Sequence, residues 1–139
     1  AIVSFWKTRM EVRSVACDAN LGGRDFDRAL AEAIAHEIRG KTGIDVLSAP
    51  AKVQYRLRVA AERAKKILSA NLKTAVHVES IAEDQDYATD FTRDAFEALI
   101  EGLLARVEAT AKAALESANI PVDEFHSIEL IGGSVRIPA

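Results

Sequence analysis

Residues 50–69 read PAKVQYRLRVAAERAKKILS, and the spacing of their apolar side chains predicts an amphipathic helix. Val53, Leu57, Ala60, Ala61, Ala64, Ile67 and Leu68 recur at three- and four-residue intervals, which gathers them into one stripe on a 3.6-residue period. Ser48 and Pro50 stand at its beginning, and a proline in the first helical turn gives up no hydrogen bond it could have made. The polar residues are equally informative. At about 100° per residue with Glu62 as origin, Lys65 falls at about −60°, Lys66 at about +40° and Ser69 at about −20°. These four share one face, while Ala60, Ala64 and Leu68 lie on the far side. One reading of the polar face is a solvated surface with a Glu62–Lys66 pair worth a few tenths of a kcal/mol. The other is a platform on which the Lys66 stem and cation cover a flat ring, with Ser69 and Glu62 bonding its edges. Spacing alone leaves both open.

Upstream, residues 2–6 and 10–17 form two short runs around Lys7-Thr8-Arg9. In the second, Met10, Val12, Ser14 and Ala16 alternate with Glu11, Arg13, Val15 and Cys17, a period of two that predicts a hairpin. Gly22-Gly23 breaks the alternation, and Phe26, Leu30, Ile34 and Ile38 then recur every four residues up to Gly40. This predicts a helix ending near Arg39, with Gly40 as its stop, followed by a loop over residues 41–49. Downstream, residues 74–81 and 87–91 read as two strands joined across the acidic segment Glu83-Asp84-Gln85-Asp86. Thr92 is a good N-cap and Asp94 suits the first turn of a helix. Phe96, Leu99, Ile100, Leu103, Leu104, Val107, Ala111, Ala114 and Leu115 carry that helix towards Asn119 and Pro121. A turn at residues 123–125, a strand over residues 128–131 and the glycine turn Gly132-Gly133-Ser134 complete the reading. Strand, glycine turn and helix start is an arrangement that offers backbone N–H groups to a ligand.

The composition sets limits. The chain has 139 residues, 49% hydrophobic and 28% charged, with a formal net charge of −3. That is globular composition, and the charge offers no attraction to nucleic acid or an acidic membrane surface. Cys17 is the single cysteine, so an internal disulfide is excluded; its place in a strand-like run predicts a core filler. No stretch approaches the ~20 apolar residues of a membrane span, and the N-terminus lacks a signal-peptide pattern, so a soluble, reducing, cytoplasmic setting is expected. The chain opens within Ile2-Val3-Ser4-Phe5-Trp6 and closes at Pro138-Ala139, which reads as a piece cut from a longer protein. His36, His77 and His126 are too scattered for a metal site, the acidic segment 83–86 lacks a calcium loop's glycine and spacing, and Trp6 is expected to pack on a sheet. No metal ligands are expected.

Three separated segments, Leu21-Gly22-Gly23-Arg24-Asp25-Phe26-Asp27, Ala61-Glu62-Arg63-Ala64-Lys65-Lys66-Ile67-Leu68-Ser69 and Leu130-Ile131-Gly132-Gly133-Ser134-Val135-Arg136-Ile137-Pro138, together resemble the ATP-binding domain of the 70-kilodalton heat-shock chaperones in order and spacing. The resemblance covers essentially the whole chain. It implies an α/β fragment, part of lobe two of an actin-like ATPase domain, with three main helices and a small mixed or antiparallel sheet. Residues 1–23 would be inner-subdomain strands, residues 24–117 the outer subdomain, and residues 118–139 a return to the inner subdomain. Carried over by motif position, Glu62, Lys65, Lys66 and Ser69 would line an adenine pocket, Gly133, Ser134 and Arg136 would close it from the opposite side, and Gly23 would lie near the ribose.

The family more often has threonine in place of Val135, arginine in place of Lys66 and an acidic residue in place of Arg24. Lysine covers a ring less well than a planar guanidinium. Arg24, Ser69-Ala70-Asn71 and Val78-Glu79-Ser80 look more like the 110-kilodalton relatives, which act as nucleotide-exchange partners of the 70-kilodalton proteins. The resemblance implies ATP or ADP as ligand, with Mg²⁺ in the complete domain. It also implies a role in the stress response, a 70-kilodalton chaperone or co-chaperone as partner, and unfolded polypeptide bound through other domains. The family's two phosphate-gripping glycine loops and its lobe-one catalytic lysine have no counterpart among these residues, so no catalytic residue is assigned. The alternatives are an ATP-hydrolysing 70-kilodalton chaperone proper and a helical interaction module without a ligand.

Overall fold

A computed structural model of the chain describes residues 1–82 and 85–139. The elements run β1 (Ile2–Phe5), β2 (Met10–Ser14), α1 (Gly23–Thr42), α2 (Ala51–Leu68), β3 (Lys73–Ala82), β4 (Gln85–Thr92) and α3 (Arg93–Ala118), followed by two short 3₁₀ turns, Val122–Glu124 and Gly133–Arg136. The strands form two separate antiparallel pairs, β1 with β2 and β3 with β4. In the second pair Lys73 faces Thr92 and Val78 faces Tyr87, with the register shifting before Ala82 faces Gln85. Of the acidic segment expected as a hairpin turn, Glu83 and Asp84 lie outside the described residues.

The core forms where the three helices meet the β3–β4 pair. Leu30, Ile34 and Ile38 of α1, Leu57 and Ala61 of α2, Val76 and Val78 of β3, and Phe96 and Ile100 of α3 are all buried. Alternation along β3 turns Thr74, Val76 and Val78 inward, as a strand with one covered face requires. In α2 the small side chains of Ala61 and Ala64 face the core, which lets α1 and α2 approach closely.

Helix ends follow local chemistry, with two corrections to the sequence reading. The first helix does not stop at Gly40. It continues to Thr42 and ends at Gly43, which takes the left-handed conformation at φ 76° and donates its N–H to the Arg39 carbonyl at 2.9 Å. Gly40 lacks a helix-ending backbone turn and is simply carried along. Pro50 is the residue before α2 rather than its first member, its carbonyl accepting from Val53 N–H at 2.8 Å. Ser48 does not cap α2, because its hydroxyl donates to Asp45 at 3.1 Å. Thr92 caps α3 as expected, accepting from Ala95 N–H at 3.2 Å, and Asn119 ends it in the left-handed region.

The two ends of the chain differ most from expectation. Residues 128–131 form no strand; Ile128 and Ile131 are 84% and 91% exposed. A strand is defined by hydrogen bonds to a neighbour, and no strand in the described residues lies alongside. The β1–β2 hairpin forms, yet Phe5, Met10, Val12 and Val15 stay exposed. Cys17 lies beyond the end of β2 and is exposed, not a core filler. Trp6 leaves the hairpin sheet and is covered instead by the Arg9 guanidinium, 4.1 Å from its ring centroid. Two tethers hold the hairpin and the segment after it to α3: Ser14 bonds the Ala114 carbonyl, and Arg106 grips Asp18 through Nε and Nη2 at 2.9 and 2.7 Å.

Candidate functional site

Gly23, at the first turn of α1, stands at a junction of three segments far apart in sequence. A side-chain carbon placed on it would lie 3.3 Å from Ser134 Oγ and 3.5 Å from Lys65 Nζ. Lys65 Nζ donates to the Gly23 carbonyl at 3.2 Å and pairs with Asp27 Oδ1 at 2.7 Å. Gly23 and Asp27 are four residues apart on α1 and therefore lie on one side of that helix, which is how one ammonium reaches both. The pair is largely withdrawn from water, with side-chain exposures of 14% for Lys65 and 20% for Asp27. Asp27 Oδ1 itself is shut off from solvent and receives no well-aligned hydrogen bond; the contact with Lys65 is an ion pair rather than a directed bond.

The four polar residues of α2 do not all face the same surroundings. Its buried residues Leu57, Ala61, Ala64 and Leu68 centre at about −130° from Glu62 when stepped by about 100° per residue. Lys65 is then only about 70° from the core direction, and Lys66 about 170°. Lys65 accordingly flanks the core and leans on α1. Lys66 points away from it and pairs with Glu62 at 2.7 Å, with side-chain exposures of 68% and 49%. The hydrogen bond from Lys66 holds the Glu62 carboxyl below the usual glutamate range, and the same bond raises the Lys66 ammonium. Ser69 follows the last residue of α2, and its hydroxyl donates to the Lys66 carbonyl at 2.6 Å. Its lone pairs stay free to accept from elsewhere.

Gly133 and Ser134 open the second 3₁₀ turn and line a cleft of about 490 Å³ with Gly22, Phe26 and the α3 residues Val107, Thr110 and Ala114. Arg136 is at the end of that turn and exposed. The neighbouring Ile137 packs against the hydrophobic core and so anchors the turn beside α1. The structure thus brings Lys65 and Ser134 to either side of Gly23 and keeps Glu62, Lys66 and Ser69 together on the adjoining open face.

Sequence reasoning missed Asp27, although it lies inside the quoted Gly22-Gly23-Arg24-Asp25-Phe26-Asp27 segment. Its spacing of four from Gly23 was the available signal. It also missed the Asp18–Arg106 pair, whose partners are 88 residues apart; no local pattern reports such a contact. The backbone N–H of Asn20, then Arg106, lower the Asp18 carboxyl below its usual range. Among the described residues no group of three His, Cys, Asp or Glu side chains could hold a metal ion, and no helix is long and apolar enough to cross a membrane.

Comparison with known proteins gives a consistent result. The family described as "Hsp70 protein" matches residues 1–139. The chain is 42% identical over 139 residues to heat shock protein hsp88 of Neurospora crassa, covering 100% of this chain and 20% of that protein. It is 41% identical over 138 residues to a heat shock protein homolog of Saccharomyces cerevisiae, covering 99% of this chain and 20% of the relative. It is also 41% identical over 138 residues to Heat shock 70 kDa protein 16 of Arabidopsis thaliana, covering 99% and 18% respectively. The chain therefore spans about a fifth of the length of these relatives.

Proposed function

The chain belongs to the Hsp70 family, on its 110-kilodalton branch, and from that premise we propose that it supplies one wall of the adenosine pocket of an ATP-binding domain in a longer chaperone. Residues 24–117 act as the outer subdomain of lobe two, and residues 1–23 and 118–139 belong to the inner one. Glu62, Lys65 and Lys66 of α2, with Ser69 just after it, line one side of the pocket. Gly133, Ser134 and Arg136 close the other, with Gly23 between them. The observation that carries this reading is the convergence of three separate segments at Gly23: Lys65 Nζ donates to its carbonyl at 3.2 Å, and Ser134 Oγ stands 3.3 Å from where a side-chain carbon on Gly23 would lie.

The donor set fits an adenosine. Lys66 offers a long alkyl stem and a cation that can lie over a purine ring; Glu62 and Ser69 offer acceptors beside it. ATP or ADP bound here takes its Mg²⁺ and phosphate contacts from other parts of the complete protein. The exposed apolar residues Ile128, Leu130 and Ile131 fit a segment that the rest of such a domain covers, and they count against a ligand-free helical module.

The parent then acts in protein folding as a nucleotide-exchange co-chaperone that docks on a 70-kilodalton chaperone and speeds its release of ADP. Acceleration of ADP loss from such a partner supports this role. ATP turnover by the parent without any such acceleration points to a 70-kilodalton chaperone proper.

The pocket is tested by calorimetric titration of Mg-ATP into the full-length parent, wild type against Lys66→Ala, after matching their helical circular dichroism. A loss of about tenfold in affinity, roughly 1.4 kcal/mol, is expected. Unchanged affinity removes Lys66 from the pocket.

A further inference from the structure

The geometry points to Asp27 as the residue that positions Lys65 for nucleotide, an inference that rests on the adenosine-site reading above. Lysine ends in a flexible four-carbon stem and a compact ammonium with three donors. Left alone at a pocket rim, such a group samples several rotamers, and each binding event has to gather it. Here two of its interactions are already taken. Asp27 Oδ1 lies 2.7 Å from Nζ, and the Gly23 carbonyl accepts from Nζ at 3.2 Å. Both partners come from one side, the first turns of α1, and Ser134 Oγ stands close to the same glycine. The third donor is left for what enters between α1, α2 and the Gly133–Arg136 turn.

Burial and charge separate Asp27 from its neighbours. Asp25, two residues earlier, spends one oxygen on the Gly22 N–H at 2.9 Å and the other on Arg28 at 2.8 Å, so it serves the start of α1. Asp27 makes no such local bond: its buried Oδ1 has no aligned hydrogen bond, and its ion-pair partner is Lys65 of another helix. A carboxylate kept from water and facing a single ammonium is costly to maintain for stability alone. Its effect on Lys65 is to compensate the charge and fix the direction of the stem. Pre-organisation of this kind lowers the ordering cost of binding without touching the ligand.

The test is a double-mutant cycle on ADP affinity in the full-length parent, using wild type, Lys65→Ala, Asp27→Asn and the double variant, measured well below the melting temperature of each. Lys65→Ala is expected to weaken ADP at least about tenfold and Asp27→Asn about three- to tenfold, with the double variant no weaker than Lys65→Ala alone. That non-additivity is what a purely structural role for Asp27 would not produce. Full affinity in Asp27→Asn with a loss in Lys65→Ala overturns the positioning role and leaves the adenosine site standing, as does strict additivity of the two losses. Full affinity in Lys65→Ala removes Lys65 from the site and the inference with it. If Asp27→Asn melts below the assay temperature, Asp27→Glu replaces it. This variant keeps the charge but moves it by one methylene, and a several-fold loss that vanishes in the Lys65→Ala background supports the role. Unchanged affinity in Asp27→Glu overturns it.

Discussion

Ser14 Oγ donates a 2.6 Å hydrogen bond to the carbonyl oxygen of Ala114, a hundred residues further along the chain, and so fastens the end of β2 to α3. Ser14 is the buried member of β2, at 7% exposure, while its alternation partners Met10 and Val12 remain in solvent. Ser14→Ala removes the bond but leaves the helical carbonyl its own partner, so a loss of about 1 kcal/mol is expected in urea unfolding. Ser14→Val adds an unaccommodated methyl at the same spot and is expected to cost about 1–3 kcal/mol. Equal stability of all three proteins would detach the hairpin from α3.

Ile34 on α1 is fully buried and Leu99 on α3 is 42% exposed, although both belong to apolar stripes in the sequence. Ile34→Ala is expected to destabilise by about 2–5 kcal/mol through lost burial and the cavity left behind. Leu99→Ala is expected to cost less than about 1 kcal/mol. Chemical unfolding of the two variants side by side tests whether burial, rather than membership of an apolar stripe, sets the cost.

Gly40 and Gly43 should respond to alanine with opposite signs. Gly40 lies inside α1 with open space where a side chain would stand, whereas Gly43 ends the helix at φ 76°. Gly40→Ala is expected to stabilise by about 0.5–1 kcal/mol by restricting the unfolded chain. Gly43→Ala forces an L-residue into the left-handed region and is expected to cost about 1 kcal/mol. Thermal melts of both variants check the sign.

Glu37 joins α1 to β4. Partial burial works against its carboxylate, but hydrogen bonds from Lys41 and Thr89 outweigh this and hold it below the usual glutamate range, with the Tyr87 hydroxyl close by. That hydroxyl is buried without an aligned partner, so Lys41 and Thr89 carry the effect. A carboxyl depressed in the folded state stabilises fully above its unfolded value of about 4.3, and the contribution fades as pH falls through the lower folded value. Glu37→Gln is therefore expected to lower the melting temperature at neutral pH and to flatten its decline below about pH 4. Parallel melting curves for variant and wild type across that window would remove Glu37 from the acid response.

Gly23→Ala separates binding from stability. The atoms nearest the added carbon are Ser134 Oγ at 3.3 Å and Lys65 Nζ at 3.5 Å, both side-chain ends that can shift. Stability is expected to change by less than about 0.5 kcal/mol. ADP affinity of the full-length parent is expected to fall several-fold, because the tight contact displaces Ser134, a proposed pocket residue, and the added carbon fills space beside Lys65. Calorimetry paired with a thermal melt reads both quantities.

The sequence by itself determined the helices and the β3–β4 pair, because periodicity, Thr92 as a cap and the Asn119 turn act within a few residues of one another. It also placed Glu62, Lys65, Lys66 and Ser69 on one polar face, since a helix repeats its directions every 3.6 residues. Tertiary structure decided the rest. A helical wheel gives an angle around α2 but not the identity of the neighbour at that angle, so Lys65 turned out to lean on Asp27 rather than stand free. An apolar run such as residues 128–131 reports a preference for burial, yet a strand exists only where another backbone supplies hydrogen bonds. Which of Gly40 and Gly43 ends α1 was likewise settled by backbone conformation, because composition marks both and only one takes a positive φ. Local chemistry is written in adjacent residues, whereas contacts between segments depend on packing that no single stretch of sequence contains.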